Sequence, residues 1–218
     1  MKVNTDGVLL GAWAALAGSR YILDVGTGTG TIALMAAQRC TTAIVHAIDI
    51  HEGSAADAAA NAANSPYTDR LEVYHRSLQE HCAVTQHRYD HIISNPPYFT
   101  AGPQAISQAR ATARHTDTLS HEQLVAGAAK ILTDHGKLSL IIPSDQAPSV
   151  SSIAASNGLH TVRKCDVWIN ENQLGRVMVT YQRQVAELVP TESILIRMAD
   201  GQYSDAYREL TADFYLKF

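Results

Sequence analysis

Short apolar runs alternate along the chain with longer, alanine-rich segments of helical period, and this alternation predicts an α/β fold. Residues 21–25, Tyr-Ile-Leu-Asp-Val, form a nearly continuous apolar run, the pattern of a strand buried on both faces of a parallel sheet. Further strands are expected over residues 43–50, 71–76, 90–94 and 137–142. Helices are expected over 31–39, over 52–64, from the capping box Ser120-His121-Glu122-Gln123 to Leu132, and around 146–156. Gly136 is expected to close the third of these helical regions. The stretches 159–169 and 176–182 follow with no helix between them, which predicts an antiparallel pair at one edge of the sheet. Ahead of the first strand, Leu9, Leu10, Trp13 and Leu16 recur at near-helical spacing. Residues 8–17 therefore read as a helix, with Thr5 or Asp6 as its cap. Toward the end, Ile194-Leu195-Ile196 reads as a strand, and Tyr203, Tyr207, Leu210, Phe214 and Tyr215 as the packing stripe of a last helix. The expected architecture is a Rossmann-like, doubly wound and mostly parallel sheet with an antiparallel edge pair. Residues 1–218 make one domain, with 1–18 and 193–218 as its flanking pieces.

Composition narrows the partners. A formal charge of -4 argues against non-specific coating of nucleic acid while leaving room for a local basic patch. The three cysteines, Cys40, Cys82 and Cys165, are far apart and odd in number, so they read as reduced thiols rather than disulfides or a zinc site. Ten histidines include no ligand spacing such as H-E-x-x-H, and no metal is expected. No apolar run approaches membrane length and no signal-peptide layout opens the chain, so a soluble, cytoplasmic protein is expected.

The chemistry begins where the first strand ends. Gly26-Thr27-Gly28-Thr29-Gly30 joins that strand to the next helix, the context in which glycines let a backbone approach a nucleotide closely. The pattern is D-x-G-x-G-x-G rather than the G-x-G-x-x-G of dinucleotide enzymes. Asp24 ahead of the loop would repel a pyrophosphate at the helix N-terminus, but suits a cofactor with an ammonium group and no phosphates. S-adenosyl-L-methionine is thereby favoured over a dinucleotide. Asp49 ends the second strand roughly 20 residues beyond the loop, where an acid takes ribose hydroxyls. Ser77, after the third strand, stands where a polar side chain meets a cofactor adenine; an ordinary turn serine fits it equally well.

The fourth strand runs into Asn95-Pro96-Pro97-Tyr98. Two prolines end the ladder and pre-set a stiff loop at a strand's carboxyl end, where open α/β sheets bind ligands. An amide oxygen and the Pro96 carbonyl can accept both hydrogens of a planar NH2 group while a tyrosine stacks on its ring. Residues 99–119 form a long polar linker in which Arg110 and Arg114 are candidate phosphate contacts on RNA.

Loop and tetrapeptide together, each at a strand end and in this order, resemble the class I S-adenosylmethionine-dependent methyltransferases that act on planar amino nitrogens. A finer resemblance, covering nearly the whole chain, is to the bacterial tRNA(Val) adenine-N6 methyltransferases. It rests on Met1-Lys2-Val3-x-Thr5-Asp6-Gly7-x-Leu9-Leu10-Gly11-Ala12-Trp13, on Ile92-Ile93-Ser94-Asn95-Pro96-Pro97-Tyr98, and on Tyr203-Ser204-x-Ala206-Tyr207-x-x-Leu210-Thr211-x-x-Phe214-Tyr215-Leu216. The resemblance implies that Asp24, Gly26, Gly28 and Gly30 surround the methionine moiety, with Thr5 and Asp6 nearby. It implies Asp49 at the ribose and Asn95, Pro96, Pro97 and Tyr98 at the target adenine, with Asn95 bordering the cofactor as well. The implied partner is a tRNA anticodon loop, at the adenosine just 3′ of the anticodon. Ser77 stands where the family often has an acidic residue on the cofactor's adenine. Family members also carry a segment rich in Phe and Lys before the Met-Lys-Val, so a longer native chain with a stronger grip on tRNA is expected. The alternatives are an N5-glutamine protein methyltransferase, another RNA amino-group methyltransferase and a non-catalytic cofactor-binding module. The first usually carries a sizeable N-terminal helical domain, and the last has no need of the tetrapeptide.

Overall fold

The computed structural model describes residues 4–97, 119–189 and 191–216. Strands β1 (Tyr21–Val25), β2 (Ile44–Asp49), β3 (Leu71–His75), β4 (Tyr89–Ser94) and β5 (Leu132–Pro143) alternate with helices. These are α1 (Thr5–Trp13), α2 (Thr31–Arg39), α3 (Glu52–Ala63), α4 (Leu78–Val84), α5 (His121–Ile131) and α6 (Ala147–Ser156). β6 (His160–Asn170), β7 (Gln173–Gln182), β8 (Thr191–Leu195), α7 (Asp205–Thr211) and a 3-10 turn (Ala212–Phe214) complete the described elements. The strands form one sheet in the order β3-β2-β1-β4-β5-β7-β6-β8. β1 to β5 are mutually parallel where they pair, β7 runs against both β5 and β6, and β8 lies parallel to β6.

The doubly wound form follows from alternation within apolar strands. In β1, Ile22 packs into the layer of α1, α2, α3 and α7, while Leu23 and Val25 face α4, α5 and α6. A strand with polar residues on one side could not occupy that central place. Ser120 and Gln123 form the capping box that opens α5, and α6 carries a proline in its first turn. The aromatic tail is a packing face: Tyr207 is buried and stacks on Tyr203 with ring centroids 4.8 Å apart.

Four local expectations are corrected. α1 spans Thr5–Trp13, not residues 8–17, and its cap is Asn4, whose side chain accepts the Asp6 N–H at 3.0 Å. An extra helix, α4, follows Ser77. Gly136 does not end a helical region: α5 stops at Ile131 and Gly136 lies inside β5. There a Cβ would come 2.7 Å from the Tyr89 carbonyl, at the register shift between β4 and β5. The antiparallel pair β6–β7 is present but one strand in from the edge, because β8 pairs along the outside of β6.

Candidate active site

The carboxyl ends of β1, β2 and β4 meet at one place because those strands are adjacent and in register. Val25 is level with Ile48 of β2 and Ser94 of β4. Beyond Val25 the chain turns through Gly26, Gly28 and Gly30 with φ of 71°, 59° and 83°, a region that residues with a Cβ rarely occupy. The turn is tied to β2: the Gly26 and Thr27 N–H groups donate to the Ile48 carbonyl at 2.9 and 3.0 Å. A Cβ on Gly26 would meet nothing within 4 Å, so the backbone faces open space there. On Gly30 it would approach the Ala58 Cβ to 3.3 Å, which lets α2 and α3 pack closely.

Two acids underlie this loop. Asp24 is 1% exposed. Its Oδ2 accepts the Thr27 hydroxyl at 2.5 Å and the Ala33 N–H at 3.1 Å, while its buried Oδ1 has no hydrogen-bond partner. Burial pushes its pKa up from 3.8 to about 7, against those two bonds and with a smaller push from the charge on Asp49. A buried carboxylate oxygen with no donor is costly, and a cationic group placed against it relieves that cost. The residues therefore fit an ammonium-bearing cofactor and disfavour a phosphate. Asp49 is 7% exposed; its Oδ2 accepts the Gly28 N–H at 2.8 Å and its Oδ1 the His51 N–H at 2.9 Å. Each oxygen keeps a second lone pair, which a ribose hydroxyl can use.

The tetrapeptide starts one residue past the aligned strand ends. The Ser94 hydroxyl donates to the Val25 carbonyl at 2.7 Å, clamping the start of the tetrapeptide to the start of the glycine loop. Asn95 is half-buried, Pro96 buried and Pro97 exposed. Asn95 is thus the first residue past the strand end on β4, as Gly26 is on β1. Tyr98, Arg110 and Arg114 lie outside the described residues. Thr5 and Asp6 form the first turn of α1. A Cβ on the adjoining Gly7 would lie 3.7 Å from Ile32, in the first turn of α2, so this end of α1 overlies the helix that follows the loop.

Ser77 has other work in the structure. Its hydroxyl accepts the Glu80 N–H at 3.2 Å and donates to Glu80 Oε2 at 2.8 Å, while the Ser77 N–H donates to the same carboxylate at 2.7 Å. This is the capping box of α4, and the spacing Ser77-x-x-Glu80 was its signal in the sequence.

Sequence reasoning missed the residues that hold α1 in place. The Arg39 guanidinium donates to the Gly11 and Ala14 carbonyls at 2.6 and 2.8 Å. Arg163 donates to the Trp13 carbonyl at 2.8 Å and lies 4.2 Å over its ring, while Glu192 accepts the Trp13 Nε1–H at 2.9 Å and pairs with Arg163. Arg176 pairs with Asp6 at 3.0 Å. Nothing in sequence spacing signals contacts across such separations. Among the described residues, no helix is long and apolar enough to cross a membrane, and no cluster of His, Cys, Asp or Glu could hold a metal ion.

Comparison with known proteins gives the family and the fold. Residues 8–164 match the family described as "Methyltransferase small domain". Three curated relatives bear the name tRNA1(Val) (adenine(37)-N6)-methyltransferase. That of Serratia proteamaculans is 38% identical over 99% of this chain and 84% of its own. That of Bacteroides fragilis is 39% identical over 100% and 92%, and that of Edwardsiella ictaluri 40% over 100% and 88%. Among solved structures, a predicted O-methyltransferase from Agrobacterium tumefaciens superposes with a TM-score of 0.72 at 18% identity, covering 95% of both chains. The CcbJ methyltransferase of Streptomyces caelestis gives 0.59 at 13% identity, covering 83% of this chain and 96% of its own. These two show the fold alone.

Proposed function

The chain belongs to the tRNA1(Val) adenine-N6-methyltransferase family, and from that membership we propose how its strand ends serve methyl transfer to the exocyclic N6 of a tRNA adenosine. The acceptor is the adenosine just 3′ of the anticodon of a valine tRNA, and the methyl donor is S-adenosyl-L-methionine. The observation that carries the reading is the register pair Val25↔Ser94, closed by the Ser94 hydroxyl on the Val25 carbonyl. It sets a loop suited to a cationic donor beside an amide and carbonyl suited to an NH2 group.

Bound at the glycine loop, the cofactor supplies an electrophilic methyl group on a positively charged sulfur. Asp24 holds the ammonium of its amino-acid part, and Asp49 orients the ribose. Adenine's amino lone pair is delocalised into its ring and is a poor nucleophile. The Asn95 side-chain oxygen and the Pro96 carbonyl accept its two hydrogens, which favours the pyramidal form and the positive charge that develops on N6. Tyr98 stacks on the base, worth about 1–3 kcal/mol toward holding it out of its loop. Positioning of the two reactants does the remainder: the N6–carbon bond forms as the sulfur–carbon bond breaks, no covalent intermediate is needed, and the excess proton leaves N6 to water. Arg110 and Arg114 serve the RNA phosphates.

The test is incubation with labelled S-adenosylmethionine and bulk tRNA, followed by nucleoside identification. N6-methyladenosine confined to valine tRNA is the expected product. Label on glutamine of a protein substrate, on another RNA nucleoside, or on nothing would overturn the reading.

A further inference from the structure

We infer that Arg176, on the one reversed strand among those described, is a positioning residue for the methyl-donor pocket and acts through Asp6. Because β7 runs against β5, it begins at the end of the sheet where the parallel strands finish, and Arg176 is level with Pro143, the last residue of β5. A parallel β7 would have put this residue at the opposite end of the molecule. Its Nε donates to Asp6 Oδ2 at 3.0 Å and its Nη1 to the Gly175 carbonyl at 2.9 Å. The Asp6 side chain is only 14% exposed and that of Arg176 26%, so solvent screens the pair weakly. Asp6 also stands in the first turn of α1, where a carboxylate is favoured by the helix dipole.

The two ends of α1 are thus held by different groups for different ends. Its C-terminal end is fastened by Arg39, Arg163 and Glu192, together with the buried Trp13, and these anchor the helix to α2 and to β6 and β8. Its N-terminal end, with Thr5, Asp6 and Gly7 over the start of α2, is held to β7 by Arg176. Loss of Arg176 loosens that first turn while the helix remains seated. The inference rests on the cofactor placement proposed above, and the antiparallel extension then becomes part of the machinery that shapes the donor pocket.

The experiment measures cofactor affinity by calorimetry, tRNA kinetics at saturating cofactor, and melting temperature. The unaltered protein is compared with Arg176→Met, Arg176→Lys, Asp6→Asn, the double variant Asp6→Asn/Arg176→Met, and Arg163→Met. Arg176→Met is expected to weaken S-adenosylmethionine binding about tenfold, equivalent to ~1.4 kcal/mol, with the KM for tRNA changed less than about twofold. Arg176→Lys should recover most of that affinity, and the double variant should bind about as weakly as Asp6→Asn alone, since each change breaks the same ion pair. Arg163→Met should lower the melting temperature with cofactor affinity unchanged. Unchanged cofactor affinity in Arg176→Met, or an equal loss in Arg163→Met, would overturn the inference alone. No binding by the unaltered protein would overturn the cofactor placement and the inference with it.

Discussion

Two buried polar groups lie toward opposite ends of the same parallel strands, and their difference separates a site from a core. Toward the amino ends, the Tyr89 hydroxyl sits 2.7 Å from His46 Nδ1 and 2.7 Å from His81 Nε2. The rings of Tyr21, Tyr74 and His87 close around them at centroid distances of 5.1 to 6.1 Å. Burial lowers the His81 pKa to about 4 and raises that of Tyr89 to about 12. At the carboxyl end, burial raises Asp24 to about 7. All three groups are shifted toward their neutral forms, so a perturbed pKa does not tell the clusters apart. What does is the company each keeps. The amino-end hydroxyl bridges two imidazoles and rings pack the rest. His81 Nδ1 lacks a partner, yet a neutral ring nitrogen is far cheaper to leave unbonded than a carboxylate oxygen. Asp24 has such an oxygen, under a glycine turn with open space at Gly26.

Asn95→Ala should give the largest effect and widen the contrast. Methyl transfer is expected to fall by about 10²–10³ with cofactor affinity nearly intact, because the proposed mechanism sets the amide on the acceptor's NH2 group. Near-normal turnover would remove the tetrapeptide from the site.

Asp24→Asn should weaken cofactor binding by about one to two orders of magnitude, read by calorimetry, without loss of stability. Between pH 3.8 and about 7 the folded Asp24 holds a proton that the unfolded chain has released. Its contribution to stability therefore falls as pH rises through that window, and cofactor affinity falls as pH drops below about 7. His81 and His91, lowered to about 4 and about 3 by burial, act oppositely: stability is lost as pH falls below their ordinary 6.5. The melting temperature of Asp24→Asn should accordingly match or exceed that of the unaltered protein at pH 8 and converge with it near pH 4. A lower value at pH 8 would mean that the buried charge is not a cost.

Tyr89→Phe strips the amino-end cluster of its bridging hydroxyl. A stability loss of about 1–3 kcal/mol in urea unfolding is expected, with kcat/KM unchanged. A fall in kcat/KM would erase the distinction between the two ends. Ser77→Ala is the smallest change. It should cost about 1 kcal/mol through the lost cap of α4 and leave cofactor affinity unaltered; a weaker affinity would give Ser77 a part at the cofactor's adenine as well.

The alternation of strands and helices, the glycine turn after β1, the capping box of α5 and the proline pair that follows β4 were legible in the sequence. Each is a matter of neighbours within a few residues: apolar period, proline and glycine backbone limits, a serine reaching its own helix. The helix α4 was equally legible, since Ser77-x-x-Glu80 obeys the same rule as Ser120-x-x-Gln123. That β8 covers the outer side of β6, that Val25 is level with Ser94, and that Arg176 meets Asp6 across 170 positions of chain is the work of the tertiary fold. It also turned Asp24 from an ordinary carboxylate into one poised near neutrality, because desolvation depends on everything packed around a residue and not on its neighbours in the chain. Pairing order, register and burial are set by the summed packing of both faces of the sheet, and no local pattern encodes that sum.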